Sequence, residues 1–416
     1  MERQILHCDL NNCFASIEML HHPKLRGHPV AVGGDAEERH GIILARNYEA
    51  RAFGIKVGQA HWQARQLCPD LIIVPPDYDK YLRFSRLFRA ILADYSSQVE
   101  AFGLDEAWVD VTGVNKCGGD GQAIADEIRA RVKFELGVTA SVGVSYTKIF
   151  AKLGSDLKKP DATSVITRDD FREIVWPLPA GDLLGVGRST LVRLLRYGVK
   201  TIGEIARTDT QTLQSWFGKW GLYLHAYANG LDNSPVAQAG DESVIKSIGN
   251  STTCPRDLEN DGEAHIVLQN LAESVAERMR EQGLAAKTVQ VSLRTNDLQW
   301  FERQMALPQP SHISTELCAS AMKLLRQHWR WEKPLRGIGV RGTNLVPINQ
   351  PRQLTLDDER QRERRETLEF TIDGIRRRFG HFSIDRAFLR ADAQLGRLDA
   401  KTDHVFHPIG YLGSAS

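Results

Sequence analysis

The stretch FGLDEAWVD, residues 102–110, places two adjacent carboxylates, Asp105 and Glu106, between two short apolar runs. Both runs are rich in residues that favour β-strands, so the pattern predicts a hairpin with the two carboxylates at or beside its tip. The simplest alternative is a solvated turn whose acidic side chains have no function. The residues that the rest of the chain places beside this hairpin decide between a functional site and a solvated turn.

A third carboxylate, Asp9, comes near the end of ILHCDL, residues 5–10, a pattern typical of a buried strand. A central sheet would bring Asp9 beside Asp105 and Glu106. Three crowded carboxylates repel one another unless a hard cation lies between them, and oxygen-only ligation suits Mg²⁺. This combination is the ligand set for two-metal phosphoryl transfer.

Length and charge set weaker limits. The chain has 416 residues, of which 42% are hydrophobic and 25% charged, and this predicts an ordinary soluble protein of two to four domains. Its 53 basic and 52 acidic residues give a formal net charge of +1. This balance neither supports nor excludes a nucleic-acid partner, because binding depends on local patches of charge.

Cysteine spacing and hydropathy point to the compartment. The six cysteines contain no Cys-x-x-Cys pair, which argues against a zinc site or a disulfide framework and for a reducing environment. No apolar run approaches ~20 residues, and the first residues have the pattern of a strand rather than of a basic and apolar leader. We therefore expect a cytoplasmic protein with no membrane partner.

Two predicted helices carry candidate anion-binding groups. The stretch RNYEARAFG, residues 46–54, predicts a helix with Tyr48 and Arg51 on one face, where a hydroxyl and a guanidinium would grip an anion. A strand at residues 139–145 is followed by a helix that bears four lysines and makes a local positive edge. Taken alone, each helix face is more readily explained by ordinary solvent exposure.

Four motifs, in this order, resemble those of the Y-family DNA polymerases of the DinB type. They are HCDLNNCFASIE (residues 7–18), ARNYEARAFGIKVG (45–58), FGLDEAWVDV (102–111) and SVGVSYTKIFAKLGSDLKKP (141–160). Any one of them is a weak signal, but four together in the first 160 residues are highly specific. The resemblance continues through nearly the whole chain.

The resemblance implies template-directed addition of deoxynucleoside triphosphates to the primer of a primer-template DNA. Asp9, Asp105 and Glu106, together with the backbone carbonyl of Leu10, would hold two Mg²⁺ ions as cofactors. A different palm-fold enzyme such as a nucleotidyl cyclase would use the same carboxylates, but it would not need additional DNA-binding modules. A catalytically silent DNA-binding homologue is disfavoured because all three carboxylates are intact.

The family's nucleotide-binding positions are also present. Tyr48, Arg51 and Lys159 would neutralise the triphosphate, where charge grows on the departing pyrophosphate. Phe14 would lie under the incoming sugar as a steric gate, so that a 2′-hydroxyl collides with its ring; the alternative is a plain core phenylalanine. Asn11 replaces an aspartate common in the family, but the family's metal ligand is the first acidic residue of the motif, so we expect no loss of activity.

Two segments beyond the palm are predicted to contact DNA. Residues 183–205 fit a helix-hairpin-helix better than a nucleotide loop, because no strand precedes Gly185-Val186-Gly187 and the third glycine of the nucleotide fingerprint is absent. From residue 244 onward, strands alternate with two helices and resemble the family's little finger domain. Its candidate phosphate contacts are Lys246, Ser247, Arg294, Arg336 and Arg341.

The C-terminal region carries a possible sliding-clamp motif. Gln353, Leu354 and Leu356 match the family's Gln-Leu-x-Leu, but Asp357 stands where an aromatic residue is usual, so the sequence predicts weak binding. Residues 359–380 predict a solvated helix with intrahelical ion pairs and an apolar stripe.

The expected fold is α+β and multidomain, a right-hand polymerase with an added domain. Its expected parts are a palm with inserted fingers (1–168, fingers about 11–78), a thumb (169–235), a linker (236–243), a little finger (244–345) and a C-terminal tail (346–416). No segment is left for a proofreading nuclease, and the small fingers cannot close a tight pocket around a new base pair. We therefore expect a monomeric, low-fidelity polymerase that copies damaged template.

Overall fold

The structure is a computed structural model that describes residues 2–35, 39, 41–238, 244–350 and 359–400. The described residues form two compact units, the first made of residues 2–35 and 41–238 and the second of residues 39, 244–350 and 359–400. The predicted clamp motif, Gln353, Leu354 and Leu356, lies outside the described residues. No helix among the described residues is long and apolar enough to cross a membrane.

The first unit contains two sheets. Its strands are β1 (Ile5–Leu10), β2 (Val30–Gly33), β3 (Ile43–Arg46), β4 (Ile72–Val74), β5 (Val99–Ala101), β6 (Glu106–Asp110), β7 (Ala140–Ser145) and β8 (Thr163–Ile166). The five-stranded palm sheet has the order β5-β6-β1-β7-β8, and the three-stranded fingers sheet has the order β3-β2-β4. The strand β1 is therefore central in the palm, as the sequence predicts.

Helices cover both sheets and form the thumb. In chain order they are α1 (Cys13–His21), α2 (Tyr48–Ala52), α3 (His61–Leu67), α4 (Tyr78–Ala93), α5 (Gly121–Arg131), α6 (Lys148–Leu157), α7 (Phe171–Val175), α8 (Arg188–Arg196), α9 (Ile202–Arg207), α10 (Thr210–Phe217) and α11 (Lys219–Ala228). A π-helical turn, Val132–Leu136, continues α5. The thumb, from α7 to α11, is wholly helical.

Side-chain alternation along β1 separates the palm core from the face that carries function. Leu6, Cys8 and Leu10 are buried in a cluster with residues of α4 and α5. The intervening His7 and Asp9 project to the other face, where each contacts a side chain of α6. Because successive residues of a strand point to opposite sides, an apolar core and a polar site share one strand.

Two glycines let α6 lie directly on the palm sheet. A Cβ atom at Gly143 of β7 would be 1.9 Å from the Ala151 carbonyl oxygen, and one at Gly154 would be 3.0 Å from the Gly143 Cα. A larger side chain at either position would force the helix away from the sheet. This close approach brings the α6 lysines within reach of the strand carboxylates.

The first part of the predicted linker is fixed to the palm. Val236 is buried beside Ile5 and Trp108, and the Lys148 ammonium donates to the Pro235 carbonyl at 3.3 Å. The polar composition of residues 231–242 predicts a free tether, but the described part up to residue 238 includes this buried valine. The segment is anchored by this buried valine and by hydrogen bonds such as that of the Ala237 amide to Glu100, and its composition reveals neither.

The second unit is a four-stranded antiparallel sheet backed by helices. Its elements are β9 (Ser247–Leu258), α12 (Asp261–Glu281), β10 (Leu284–Thr295), β11 (Trp300–Ser311), α13 (Ser314–His328), β12 (Leu335–Pro347), α14 (Glu359–Phe379) and α15 (Ala393–Gly396). The strand order is β11-β10-β12-β9. Alternate residues of the strands pack on α12 and α13, which together form the main apolar core of the unit.

The helix predicted over residues 359–380 is present within these bounds, but the prediction that it is surrounded by solvent is wrong. The buried side chains of α14 are Glu369, Asp373 and Arg376, whereas Leu368 is 50% exposed. Arg280 of α12 binds Asp373 through two nitrogens, at 2.6 and 2.8 Å. The buried stripe of α14 is thus charged rather than apolar, and it is held by ion pairs to the neighbouring helix.

Candidate active site

The three predicted carboxylates meet at one end of the palm sheet. β1 and β6 are antiparallel neighbours in which Asp9 and Glu106 are register partners, and the Leu10 amide donates to the Asp105 carbonyl at 2.9 Å. Asp105 closes the turn that precedes β6, so the hairpin predicted from residues 102–110 is present. The sequence therefore folds so that one buried strand end and one hairpin tip present three acidic side chains.

The carboxylates differ in their electrostatic surroundings. Burial, followed by the negative charges of Asp9 and Glu106, raises the pKa of Asp105 to about 6. Burial also raises the pKa of Asp9, although Lys159 and Lys152 oppose this shift. At Glu106 burial is outweighed by the hydrogen bond from His7 and by Lys152, which together lower the pKa to about 2.

Two lysines, one in the middle of α6 and one just beyond its end, neutralise two of these carboxylates. The Lys152 ammonium lies 2.5 Å from Glu106 Oε2 and 3.5 Å from Asp9 Oδ2, while the Lys159 ammonium lies 2.8 Å from Asp9 Oδ2. Lys159 also pairs with Asp156 at 2.9 Å. Sequence reasoning identified Lys159 as a site residue and missed Lys152. The available signal was that Lys152 follows Lys148 by four residues, and Lys148 is also directed at the palm.

His7 is a second site residue that sequence reasoning missed. Its ring is fully buried and packs edge-on against Trp108, with the centroids 5.3 Å apart. Its Nε2 lies 3.2 Å from Glu106 Oε2 and its Nδ1 lies 2.9 Å from Ser155 Oγ. Burial lowers the pKa of His7, and the contact of the ring with Glu106 opposes this shift.

The donor set fits a hard divalent cation. Carboxylate oxygens are the ligands that Mg²⁺ prefers, and the mutual repulsion expressed in the raised pKa of Asp105 would be relieved by a cation. Within the described residues, no three His, Cys, Asp or Glu side chains already stand in a ligating arrangement. Instead, Asp9 and Glu106 are paired with lysine ammonium groups.

The predicted steric gate lies next to the carboxylates. Phe14 is half-buried in the first turn of α1, and its ring stacks on Tyr81 of α4 with centroids 4.0 Å apart and planes 8° apart. The Tyr81 hydroxyl donates to Glu18 Oε1 at 2.8 Å. Two helices therefore fix the orientation of the Phe14 ring.

The three residues predicted to bind triphosphate also come together. Tyr48 begins α2, which is capped by the Asn47 side chain through the Ala50 amide at 2.9 Å. Burial raises the pKa of the Tyr48 hydroxyl, and the charges of Lys159 and Arg51 act on it in the opposite direction. Tyr48, Arg51 and Lys159 thus share one electrostatic environment beside Asp9.

The predicted thumb hairpin is present at residues 183–187. Gly187 is the N-cap of α8, a Cβ there would meet open space, and Gly185 has φ +90°. The Trp220 indole N–H donates to the Gly185 carbonyl at 3.3 Å. Val186 is buried, so the backbone of the hairpin, rather than this side chain, is available to a ligand.

The predicted little finger contacts lie on or beside its sheet. Ile338 and Val340 of β12 are buried, whereas Arg341 is exposed and lies in register with Gly249 of β9. Arg294 of β10 lies with its guanidinium 5.4 Å from the Trp300 ring centroid. The remaining candidates occupy strand ends or flanks: Lys246 precedes β9, Ser247 begins it, and Arg336 is the second residue of β12.

Comparison with known proteins identifies the class. The impB/mucB/samB family matches residues 8–156, its C-terminal domain matches residues 245–356, and a thumb domain described for DNA polymerase-iota matches residues 181–232. A solved Y-family DNA polymerase chimera of Dbh and Dpo4 shares the fold with a TM-score of 0.72 at 24% identity, over 83% of this chain and 99% of the chimera. The chain therefore has the fold of a Y-family DNA polymerase, and the two models of the impB/mucB/samB family together cover more than half of it.

Relatives of known name narrow the class further. The chain is 47% identical to a DNA polymerase IV of Acetivibrio thermocellus, over 96% of this chain and 100% of the relative. It is 34% identical to DNA polymerase IV 1 of Bacillus subtilis, over 96% and 95% of the two chains. The chain therefore belongs to the DNA polymerase IV family and is a DNA-directed DNA polymerase, which confirms the resemblance and the fold class predicted from the sequence.

Proposed function

We propose that this protein extends primers past damaged or distorted template by two-metal-ion nucleotidyl transfer, with low fidelity and without proofreading. The observation that carries the mechanism is the meeting of three carboxylates, the buried Asp9 and the half-buried Asp105 and Glu106, at one end of the palm sheet. Membership of the polymerase family supplies the substrates, which are primer-template DNA and deoxynucleoside triphosphates. We also propose a cytoplasmic location, because the relatives of known name are bacterial DNA polymerases.

Asp9, Asp105 and Glu106, with the Leu10 carbonyl, would hold two Mg²⁺ ions. When bound, these ions would lower the pKa of the primer hydroxyl and stabilise the charge that grows on the pyrophosphate. His7 orients Glu106 through the 3.2 Å contact to its carboxylate. The protein's contribution to this step is a fixed and largely water-excluded set of oxygen ligands.

Cationic and hydroxyl groups beside the carboxylates would bind the triphosphate. Lys159 already pairs with the carboxylate of Asp9 at 2.8 Å, so its ammonium can transfer to a phosphate oxygen without leaving the site. Tyr48 and Arg51, on one face of α2, add a hydroxyl and a guanidinium fork. The Phe14 ring, stacked on Tyr81, would exclude a 2′-hydroxyl from the sugar position.

The small size of the fingers supports low fidelity. Between α1 and α4 the structure has a three-stranded sheet and two short helices, α2 (Tyr48–Ala52) and α3 (His61–Leu67). Elements of this size enclose little of a nascent base pair, so discrimination rests mainly on base pairing itself. A pocket that selects weakly by shape also admits a damaged template base.

Primer extension on matched undamaged and lesion-bearing templates tests the proposal. The wild-type protein should extend both in the presence of Mg²⁺, with frequent misincorporation and no excision of a mismatched primer end. Asp105→Asn and Glu106→Gln should each reduce kcat more than a hundredfold, about 2.7 kcal/mol in activation free energy, while DNA binding and folding are retained. Residual activity above one hundredth of wild type would contradict the metal-site assignment, and formation of a cyclic nucleotide would identify the rival class.

We also propose that the protein works as a monomer tethered to a sliding clamp through Gln353, Leu354 and Leu356. The missing aromatic anchor should cost on the order of 1–2 kcal/mol, roughly a tenfold or greater loss of affinity, which leaves micromolar binding. Calorimetry of a peptide spanning residues 351–359 against the cognate clamp tests this. Heat abolished by Gln353→Ala with Leu356→Ala would support the tether, and absence of binding at high clamp concentration would make the segment a linker.

A further inference from the structure

Asn11 lies two residues beyond Asp9, just past the end of β1. It is 2% exposed, and its backbone amide donates to the Thr139 carbonyl at 2.8 Å. A buried amide side chain must satisfy both its donor and its acceptor within the protein. Its partners therefore show which parts of the chain it joins.

The Asn11 side chain joins three segments. Its Oδ1 accepts hydrogen bonds from the Asp161 backbone amide at 2.9 Å and from the Thr139 hydroxyl at 3.0 Å. Its Nδ2 donates to the Ser141 hydroxyl at 2.9 Å. Because a backbone amide can only donate, the Asp161 contact fixes which end of the side-chain amide faces which partner.

Asp161 lies in a turn that is held from several sides. Its backbone φ is +49°. Residues other than glycine rarely adopt this conformation unless their surroundings hold them in it. Its carboxylate is bound by Arg129 at 2.8 Å and by Lys133 at 2.9 Å, and its amide is bound by Asn11. These three partners hold a backbone conformation that would otherwise relax.

The turn carries Lys159, two residues before Asp161. Lys159 pairs with Asp9 at 2.8 Å, and Asn11, two residues after Asp9, pairs with Asp161 at 2.9 Å. Two contacts therefore connect the end of β1 to the turn of residues 159–161. One is made by the side chain of Lys159, which is proposed to move onto the substrate. The other is made by the side chain of Asn11, which stays in place. When Lys159 binds a phosphate, the Asn11 contact keeps its backbone beside the catalytic strand.

We propose that Asn11 is a positioning residue that holds the turn of residues 159–161 against the end of β1, and thereby prepares Lys159 to bind the triphosphate of the incoming nucleotide. This inference rests on the proposed function of Lys159. Preorganisation of this kind acts on the affinity for nucleotide more than on the chemical step.

Nucleotide binding without chemistry is the direct test. A full-length protein bound to a primer-template with a dideoxy-terminated primer is titrated with the complementary deoxynucleoside triphosphate in Mg²⁺, and extension kinetics are measured in parallel on an ordinary primer. Asn11→Ala should weaken nucleotide binding and raise KM at least tenfold, with less than a threefold change in kcat. Asn11→Asp keeps the acceptor for Asp161 and should remain within threefold of wild type.

A second variant loosens the same turn from its other side. Arg129→Gln removes the ion pair to Asp161 without touching β1, and it should raise KM in the same way. Arg131→Gln is the matched control on the same helix, because Arg131 pairs with Glu135 and Asp94 instead. This control should leave nucleotide binding unchanged.

The outcomes separate this inference from the proposed function. If the wild-type protein does not extend a primer, the proposed function fails. If it does, and Lys159→Ala weakens nucleotide binding while folded Asn11→Ala does not, the positioning role is overturned. Should Asn11→Ala fail to fold, Arg129→Gln decides: a weakened nucleotide affinity supports the role, and an unchanged affinity overturns it.

Discussion

Asp9 and Glu106 are register partners on neighbouring antiparallel strands, and a single lysine, Lys152, contacts both carboxylates from the helix above them. The geometry follows from strand alternation, which puts both side chains on the face covered by α6. The pKa of Asp105, one residue before Glu106, is instead dominated by burial and by the negative charges of Asp9 and Glu106. The three acids of the site therefore differ in their effect on folding stability.

In the protein freed of metal by chelation, Asp105→Asn should raise the free energy of unfolding. The pKa of Asp105 is raised to about 6, whereas an unfolded aspartate titrates near ~3.9. The folded state binds the proton of the Asp105 carboxyl group more tightly than the unfolded state does. Protonation of Asp105 therefore stabilises the fold at low pH, and this stabilisation is lost as pH rises from about 4 to about 6. An amide cannot ionise, so at about pH 8 the variant should be more stable by on the order of 2 kcal/mol.

Urea denaturation across this pH range, in chelator, measures the difference between the two proteins. Glu106→Gln provides the opposite sign, because the pKa of Glu106 is lowered to about 2. Its ionised form contributes stability above roughly pH 4.3, which is lost as pH falls toward about 2. If Asp105→Asn and Glu106→Gln shift stability in the same direction at neutral pH, the electrostatic description of the site is wrong.

Phe14→Ala should admit ribonucleotides while deoxynucleotide use falls only slightly. The stacked contact with Tyr81 holds the ring in one orientation, and removal of the ring opens the space that a 2′-hydroxyl would need. The measurement is the ratio of kcat/KM for a deoxynucleotide to that for the matching ribonucleotide, which should fall by at least a hundredfold. Phe84→Leu, on the same helix as Tyr81, is the control and should leave this ratio unchanged. Unaltered selectivity in a folded Phe14→Ala protein would make Phe14 a core residue.

Most of the fold could be predicted because its elements follow apolar periodicity. The two helices predicted among the strands from residue 244 onward are α12 and α13, and the hairpin that carries Asp105 and Glu106 is where the sequence places it. The role of Lys152 could not be predicted in this way, since a lysine in a helix looks the same whether it faces water or a carboxylate. Only the tertiary approach of α6 to β7 at Gly143 distinguishes the two.

The environment of α14 was mispredicted for a related reason. Sequence patterns equate a buried stripe with an apolar one, whereas the buried side of α14 carries Glu369, Asp373 and Arg376. Arg280, which pairs with both Glu369 and Asp373, lies about 90 residues earlier in the chain and is not marked by any local spacing. Buried ion pairs between distant segments are therefore the part of this structure that sequence reasoning reaches least.

Arg280→Ala should destabilise the second unit by about 3–5 kcal/mol. Arg280 binds Asp373 at 2.6 Å and Glu369 at 3.0 Å, so its removal takes a cation from two buried carboxylates, although Glu369 keeps its pair with Arg386. Arg365→Ala is the matched control, because Arg365 is exposed and its pair with Glu316 spans 3.9 Å. Chemical denaturation of the full-length proteins should show a large shift for the first variant and less than about 0.5 kcal/mol for the second. Equal stability of the two would mean that α14 contributes nothing to the unit.

Trp220→Phe should weaken DNA binding several-fold without unfolding the thumb. The Trp220 indole N–H donates to the Gly185 carbonyl at 3.3 Å, and the ring fills the space where a Gly185 Cβ would lie, 2.4 Å from Trp220 Cζ2. Phenylalanine retains most of the packing and loses the hydrogen bond that fixes the hairpin, so the backbone amides at the start of α8 should meet a DNA phosphate less well. Because a phosphate contact is lost or loosened, the slope of log affinity against log salt concentration should become shallower by up to about one unit.

Trp216→Phe is the control, since Trp216 stacks on Tyr197 with centroids 3.9 Å apart rather than on the hairpin. If both tryptophan variants bind DNA with wild-type affinity and salt dependence, the hairpin of residues 183–187 is not a phosphate contact, and the thumb must hold DNA through another surface.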